Sequence, residues 1–177
     1  MHRIVAGITT LEGHLEMIRK KPEVYRPPSC PHCGIKVLCQ HGYYYRKADR
    51  RAQRPSLNPV PICRYRCAGC RRTCSRLPEC IAPRRWYAWS VQEQFLSFRV
   101  GAVPGECEGG ERQPAVRSIG RWWRWLQERG ALFAFHLRAR FPELGRASEF
   151  CAFWRQVFVL LGLPRAMAWL DPEMSVP

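Results

Sequence analysis

Two pairs of cysteines stand out, each separated by two residues: Cys30-Pro31-His32-Cys33 and Cys67-Ala68-Gly69-Cys70. A Cys-x-x-Cys turn presents two thiolates from one tight loop. Two such turns supply the four ligands that a structural zinc ion takes as a tetrahedron. Residues 34–66 lie between the pairs, enough chain for a two-stranded excursion and return. Gly34 follows the first pair, where a knuckle of this kind calls for a positive φ. The spacing therefore assigns one structural Zn2+ to Cys30, Cys33, Cys67 and Cys70, in a closed site with no open coordination position. A lone Cys-x-x-Cys reads also as a redox dithiol; the second pair, and the lack of a βαβ pattern around either, argue for metal.

Eight of the ten cysteines fall within residues 30–80. Cys39, Cys63, Cys74 and Cys80 are expected to be small buried hydrophobes; the alternative is a second metal site built from them with His41. His32, inside the first knuckle, is expected to face solvent. The start of the chain carries no apolar core or cleavage site of a signal peptide. The most apolar run, Phe150 to Leu163, is interrupted by Arg155 and Gln156 and is too short to span a bilayer. The expectation is a cytoplasmic protein without membrane contact, in a reducing compartment where thiols bind metal or stay buried rather than form disulfides.

The second chemical signal is charge. Lys and Arg number 29 against 14 Asp and Glu, a formal net charge of +15. The only lysines are Lys20, Lys21, Lys36 and Lys47, so the excess is mostly arginine. Its planar fork pairs with phosphate and with guanine edges. Such an excess points to a polyanionic partner, nucleic acid first; the alternatives are a merely soluble basic protein or a partner for an acidic one. Arg64, Arg66, Arg71 and Arg72 lie in the densest basic stretch, residues 41–85, interleaved with Tyr43, Tyr44, Tyr45 and Tyr65. Basic groups neutralise phosphates, and aromatic rings stack on exposed bases; alternatively the tyrosines pack the ribbon, the reading preferred for Tyr65.

These side chains need a scaffold. Thr9 and Glu12 fit a capping box opening a helix to about Arg19, and Pro22, Pro27 and Pro28 then enforce an extended lead-in. Residues 42–46 and 60–66 read as strands around a loop at 48–59. In the second strand, alternation puts Ile62, Arg64 and Arg66 on one face and Cys63, Tyr65 and Cys67 on the other. From about residue 84 the pattern turns helical. Helices are expected over Trp86–Val100, over Ala115–Arg129 with Gly130 as its stop, over Ala131–Arg140, and from an N-cap at Ser148 to Leu161, with Gly162 and Pro164 as stop signals. Phe150, Phe153, Trp154, Val157, Phe158 and Leu161 form a core stripe on the last of these.

On the helix from Ala115, Arg117, Arg121, Arg124 and Glu128 fall on one line, opposite Ile119, Trp122, Trp123 and Leu126. Such a ridge suits a major groove, with Arg121 and Arg124 reaching phosphates or base edges and Ser118 a phosphate. The plain alternative is an amphipathic helix with a solvated face. With Trp86–Val100 it would make a helix-turn-helix, although the glycine-rich residues 101–113 form a poor middle helix. The expected fold is α+β: a lead-in at 1–29, a small β zinc ribbon at 30–83, a helix-turn-helix-like region at 84–130 and a helical segment at 131–177.

Cys-Pro-x-Cys-Gly, His-Gly-Tyr-Tyr-Tyr-Arg, Arg-Tyr-Arg-Cys-x-x-Cys-Arg-Arg-Thr and Leu-Pro follow one another in an order that resembles the N-terminal zinc ribbon of bacterial insertion-sequence transposases, and of small bacterial proteins of unknown function that share it. In those the ribbon precedes a helix-turn-helix, and Val116–Leu126 is similar to its recognition helix. The resemblance spans roughly residues 30–128. It implies recognition of element-end DNA or a regulatory role in a mobile element, with a transposase or another mobile-element protein as a further partner and homodimers among the expected arrangements. Cys74 departs from it, standing where an aromatic or other apolar residue is expected. A larger departure concerns catalysis. Such transposases cut DNA with three carboxylates holding divalent metal on an RNase-H-like domain. This chain has only Asp49 and Asp171 as aspartates, and its C-terminal part lacks alternating strands. The expectation is a DNA-reading protein that is not an enzyme. Two rivals remain: an adaptor docking its ribbon on a transposase or polymerase subunit, and a nuclease or transposase subunit active only in a complex, relying on Asp49 or Glu79.

Overall fold

The computed structural model describes residues 2–47, 57–83, 87–102, 114–145 and 147–172. The fold is α+β, and the chain divides into two compact units, one within Met1–Arg84 and one within Arg85–Met174.

The first unit is a four-stranded mixed sheet. Its strands are β1 (His2–Val5), β2 (Leu38–Arg46), β3 (Val60–Cys67) and β4 (Thr73–Pro78), in the order β1-β4-β3-β2. β2 and β4 flank β3 antiparallel, while β1 runs parallel to β4. The alternation expected of β3 holds. Cys63, Tyr65 and Cys67 enter a core cluster with Val5, Ile8, Tyr25, Cys30, Leu38 and Cys74. Val60 and Ile62 join Leu77 and Ile81 in a second cluster, and Arg64 and Arg66, on that same face, are exposed. Gln40 pairs with Tyr65 and Tyr43 with Cys63, so β2 carries one extra residue there; Gly42, at φ +79°, absorbs the bulge.

Helix α1 (Leu11–Lys20) is capped one residue later than the sequence suggested. Thr10, not Thr9, takes the Gly13 N–H at 3.0 Å, and a Cβ on residue 13 would itself lie 3.0 Å from that hydroxyl. The helix stops before Pro22, which opens a short 3-10 turn to Tyr25.

The second unit is helical: α2 (Trp89–Arg99), α3 (Val116–Arg140), α4 (Phe150–Leu160) and α5 (Gly162–Leu170). Trp86, expected to open α2, lies outside the described residues, as do residues 103–113, which would have to make a helix-turn-helix turn. Three sequence-based boundaries are corrected. First, Gly130 ends nothing: α3 runs through it unbroken for 25 residues. A Cβ there would meet the Phe150 ring at 2.6 Å, so this glycine serves close helix packing rather than termination. Second, α4 is capped by Glu149 rather than Ser148, its carboxylate accepting the Cys151 and Ala152 N–H groups at 2.8 and 2.6 Å. Third, Gly162, at φ +71°, redirects the chain instead of ending the helical region, and α5 begins at once. Pro164 sits in its first turn, where no N–H is needed. The Leu163 N–H donates across the unit to Glu93 on α2 at 2.8 Å. The α4 stripe is core: Phe153, Trp154, Val157 and Phe158 are buried, and Trp154 meets the rings of Phe133, Phe153 and Phe158.

Candidate metal centre and basic surfaces

The two Cys-x-x-Cys turns meet. The sulfurs of Cys30, Cys33, Cys67 and Cys70 all lie within 4.8 Å of one another. Cys30 and Cys70 are 3.7 Å apart, Cys33 and Cys67 3.6 Å. A tetrahedron with the bond length zinc makes to thiolate has edges of about 3.8 Å, so the thiols present fit one such ion. Four thiolates this close repel one another unless a cation stands between them.

Each turn is held by its own backbone. In the first, the Gly34 N–H reaches the Cys30 carbonyl and the Cys30 N–H the Ile35 carbonyl, both at 2.8 Å. In the second, the Cys67 N–H reaches the Arg72 carbonyl at 3.0 Å, and the next amide, Ala68, ties the two turns through the Val37 carbonyl at 3.1 Å. The residue after each pair is left-handed: Gly34 at φ +75° and Arg71 at φ +57°. Sequence reading anticipated the first and missed the second, because an arginine gives no signal for that conformation. Gly69 has a packing role, since a Cβ there would meet Ile35 at 2.5 Å.

Within the site the thiols differ: on Cys70 the Arg72 N–H acts downward, but burial and the neighbouring thiols bring its pKa up to about 11. At Cys30 desolvation acts upward, but the N–H groups of His32 and Cys33, with neighbouring thiols, bring the pKa down to about 7. Burial instead pushes Cys63 up to about 11 and Cys80 up to about 12, and raises Cys74. These three are packing thiols. Cys39, expected to be buried with these three, is instead exposed on β2, as is His41, and His32 faces solvent. Among the described residues, the four knuckle cysteines are the one group able to hold a metal ion.

A family model matches residues 30–122, just over half of the chain, and describes a domain of unknown function, DUF6431. The chain belongs to the DUF6431 family. No curated protein and no solved structure matches it. The matched span of the DUF6431 chain opens on the first metal-site cysteine and runs into α3.

The basic residues expected to make contacts form two groups, one in each unit. In the ribbon, Arg64 and Arg66 are exposed along β3 opposite Ser75 and Thr73 of β4, and Arg64 donates to Thr73 Oγ1 at 3.1 Å. Arg71 and Arg72 are exposed in the second knuckle. In the helical unit, Arg117, Arg121 and Arg124 are exposed on α3 while Trp122 and Leu126 are buried behind them. Ser118 is half-buried, and its hydroxyl accepts from Arg121 at 3.4 Å. Tyr65 is buried and donates to the Pro22 carbonyl at 3.2 Å, the packing role expected of it. Sequence reading passed over two apolar residues beside the first knuckle, Ile35 and Val37, which are exposed. Of the carboxylates named for a cleavage role, Asp49 lies outside the described residues. Glu79 is buried and accepts the Gly7 N–H at 2.8 Å. Among the described residues no helix is long and apolar enough to cross a membrane.

Proposed function

We propose that this DUF6431 chain is a zinc-folded DNA-binding protein, a transposase-like recognition or regulatory protein of a mobile element that reads DNA rather than cutting it and works in the cytoplasm. The ion is zinc because four thiolates at tetrahedral spacing leave no open position for chemistry and match its preferred ligands. The observation that carries the DNA reading is the α3 ridge: Arg117, Arg121 and Arg124 share one exposed line on a helix whose other side is anchored by Trp122 and Leu126. The ribbon adds Arg64, Arg66, Arg71 and Arg72, all exposed, on a chain of net charge +15.

The test is a titration of labelled duplex at several salt concentrations. Counterion release makes the logarithm of affinity fall linearly with that of salt, with a slope of about −0.9 per phosphate contacted. Arg121→Ala should weaken binding and flatten that slope by about one unit, with zinc content and melting unchanged. Negligible affinity at low salt removes the reading. The exposed Ile35 and Val37 favour a second reading, an adaptor docking its ribbon on another protein; complex formation with such a protein that persists at high salt, without DNA affinity, would select it.

A further inference from the structure

The three consecutive tyrosines of β2 do not share one fate. Tyr44 is half-buried against the cluster of Val60, Ile62, Leu77 and Ile81. Tyr45 and Tyr43, by contrast, are 68% and 39% exposed. They sit opposite Pro61 and Cys63, so both project on the sheet face that carries Tyr65, not on the Arg64 and Arg66 face. Residues two apart along a strand lie about 6.7 Å from each other. β2 is an edge strand of the sheet, so the rings stand at its margin with no further described strand beside them. Gln40, brought to the same face by the bulge, donates to the Tyr43 hydroxyl at 3.1 Å and holds that ring in place. Cations border the pair: Arg26 is exposed and directly follows Tyr25, which packs in one cluster with Cys63 and Tyr65 on this face. Lys47, also exposed, follows directly on β2.

We infer that Tyr43 and Tyr45 form a stacking platform for two unpaired bases, so that the ribbon takes single-stranded DNA along the β2 edge while Arg26 and Lys47 meet its phosphates. This rests on the DNA-binding reading above and adds a ligand class to it. In a duplex each base face is covered by its neighbours, and only edges are offered to a protein. Exposed rings in a basic setting match the open faces of an unpaired strand, which stack on aromatic side chains without regard to sequence. A protein partner would not need a basic border, and the charge of the surroundings is complementary to a polyanion.

The experiment uses the full chain loaded with zinc, a fluorescent twelve-nucleotide thymidine strand and a duplex of equal length. Tyr45→Ala should lower affinity for the single strand about tenfold, leave its salt slope unchanged because no charge is lost, and leave duplex affinity unchanged. Tyr45→Phe should retain wild-type affinity, since the ring and not the hydroxyl stacks. Tyr45 is mostly solvated, and unchanged zinc content and melting would certify the fold of each variant. Duplex binding with a single-strand affinity insensitive to Tyr45→Ala overturns the platform and leaves the DNA reading standing. An equal loss on both DNAs also overturns it. Failure of the wild-type chain to bind either DNA removes both.

Discussion

The two units of this chain reach stability by different means. The ribbon is a short sheet whose interior is divided between two small clusters, one of them containing four buried cysteines and closed at one end by the four-thiol site. The helical unit has no such centre among its described residues. Its buried residues include Trp122, Leu126, Phe133, Leu137, Trp154, Val157, Leu163 and Met167. A sheet of this size has little apolar surface to remove from water, so ligand bonds must carry what burial does not. Four helices carrying large aromatic rings need no ion. Each unit is therefore vulnerable at a different place: the ribbon through its metal, the helices through a single central side chain.

Removing the metal should produce the largest effect. Cys67→Ser, or a strong chelator at neutral pH, should release the ion and unfold the ribbon. Structural zinc contributes about 10–16 kcal/mol in small zinc-folded modules, more than a sheet of this size can replace. The helical unit has its own core and should keep its helical circular dichroism. Elemental analysis paired with far-UV spectra reads both at once. Full metal content and a native melt in Cys67→Ser would show that the four-cysteine assignment is wrong. Loss of both units together would show that the contrast drawn here is false.

That contrast also explains what could be read without coordinates. The ligands were legible because their geometry is local: each Cys-x-x-Cys turn fixes two sulfurs by itself, and only the meeting of two turns needs the fold. The inward and outward faces of β3 were legible because period-two alternation is local as well. β1 was not, because its four residues pair with Ser75–Pro78, far along the chain, and nothing in His2–Val5 announces that partner. Gly130 misled for a related reason. Glycine is a helix stop when judged by propensity, and only the Phe150 ring against its α-carbon reveals a packing position inside one long helix. The start of α5 was hidden because its first free amide is met by Glu93, a residue on another helix. Much of what escaped the sequence depends on a distant neighbour, whereas the caps at Thr10 and Glu149 escaped because adjacent residues compete for the same amides.

The counterpart in the helical unit is Trp154→Ala. Trp154 is fully buried among Phe133, Phe153 and Phe158. Truncating a buried tryptophan costs about 3–5 kcal/mol through lost burial and the cavity left behind. Thermal or urea unfolding followed by helical signal should shift down accordingly, while zinc content stays at the wild-type value. A ribbon that loses its metal in this variant would mean that the two units depend on each other. A helical melt unchanged within error would mean that Trp154 is not the keystone its contacts suggest.

The smallest effect belongs to a buried histidine in the ribbon. His14, on α1, is shielded from water, with Nδ1 2.5 Å from the Tyr25 hydroxyl and Nε2 2.8 Å from the Pro61 carbonyl. Pro61 O can only accept, so Nε2 carries the proton and Nδ1 accepts from Tyr25. The ring is neutral, and burial holds its pKa below the ordinary value of 6.5 despite the Pro61 contact, which acts the other way. The unfolded chain takes up a proton near 6.5 and the folded chain only at lower pH. The contribution of His14 is therefore fully present above about pH 6.5 and is lost as pH falls through the lowered folded value. Melting of the zinc-loaded protein between pH 7 and 5 should decline accordingly. His14→Gln can still donate to Pro61 O but takes up no proton, so it should flatten the decline without changing metal content. Because thiolate protonation also releases zinc on acidification, the metal must be measured at each pH. A decline that follows zinc release and is the same in wild type and His14→Gln would assign the acid sensitivity of the ribbon to its metal site alone.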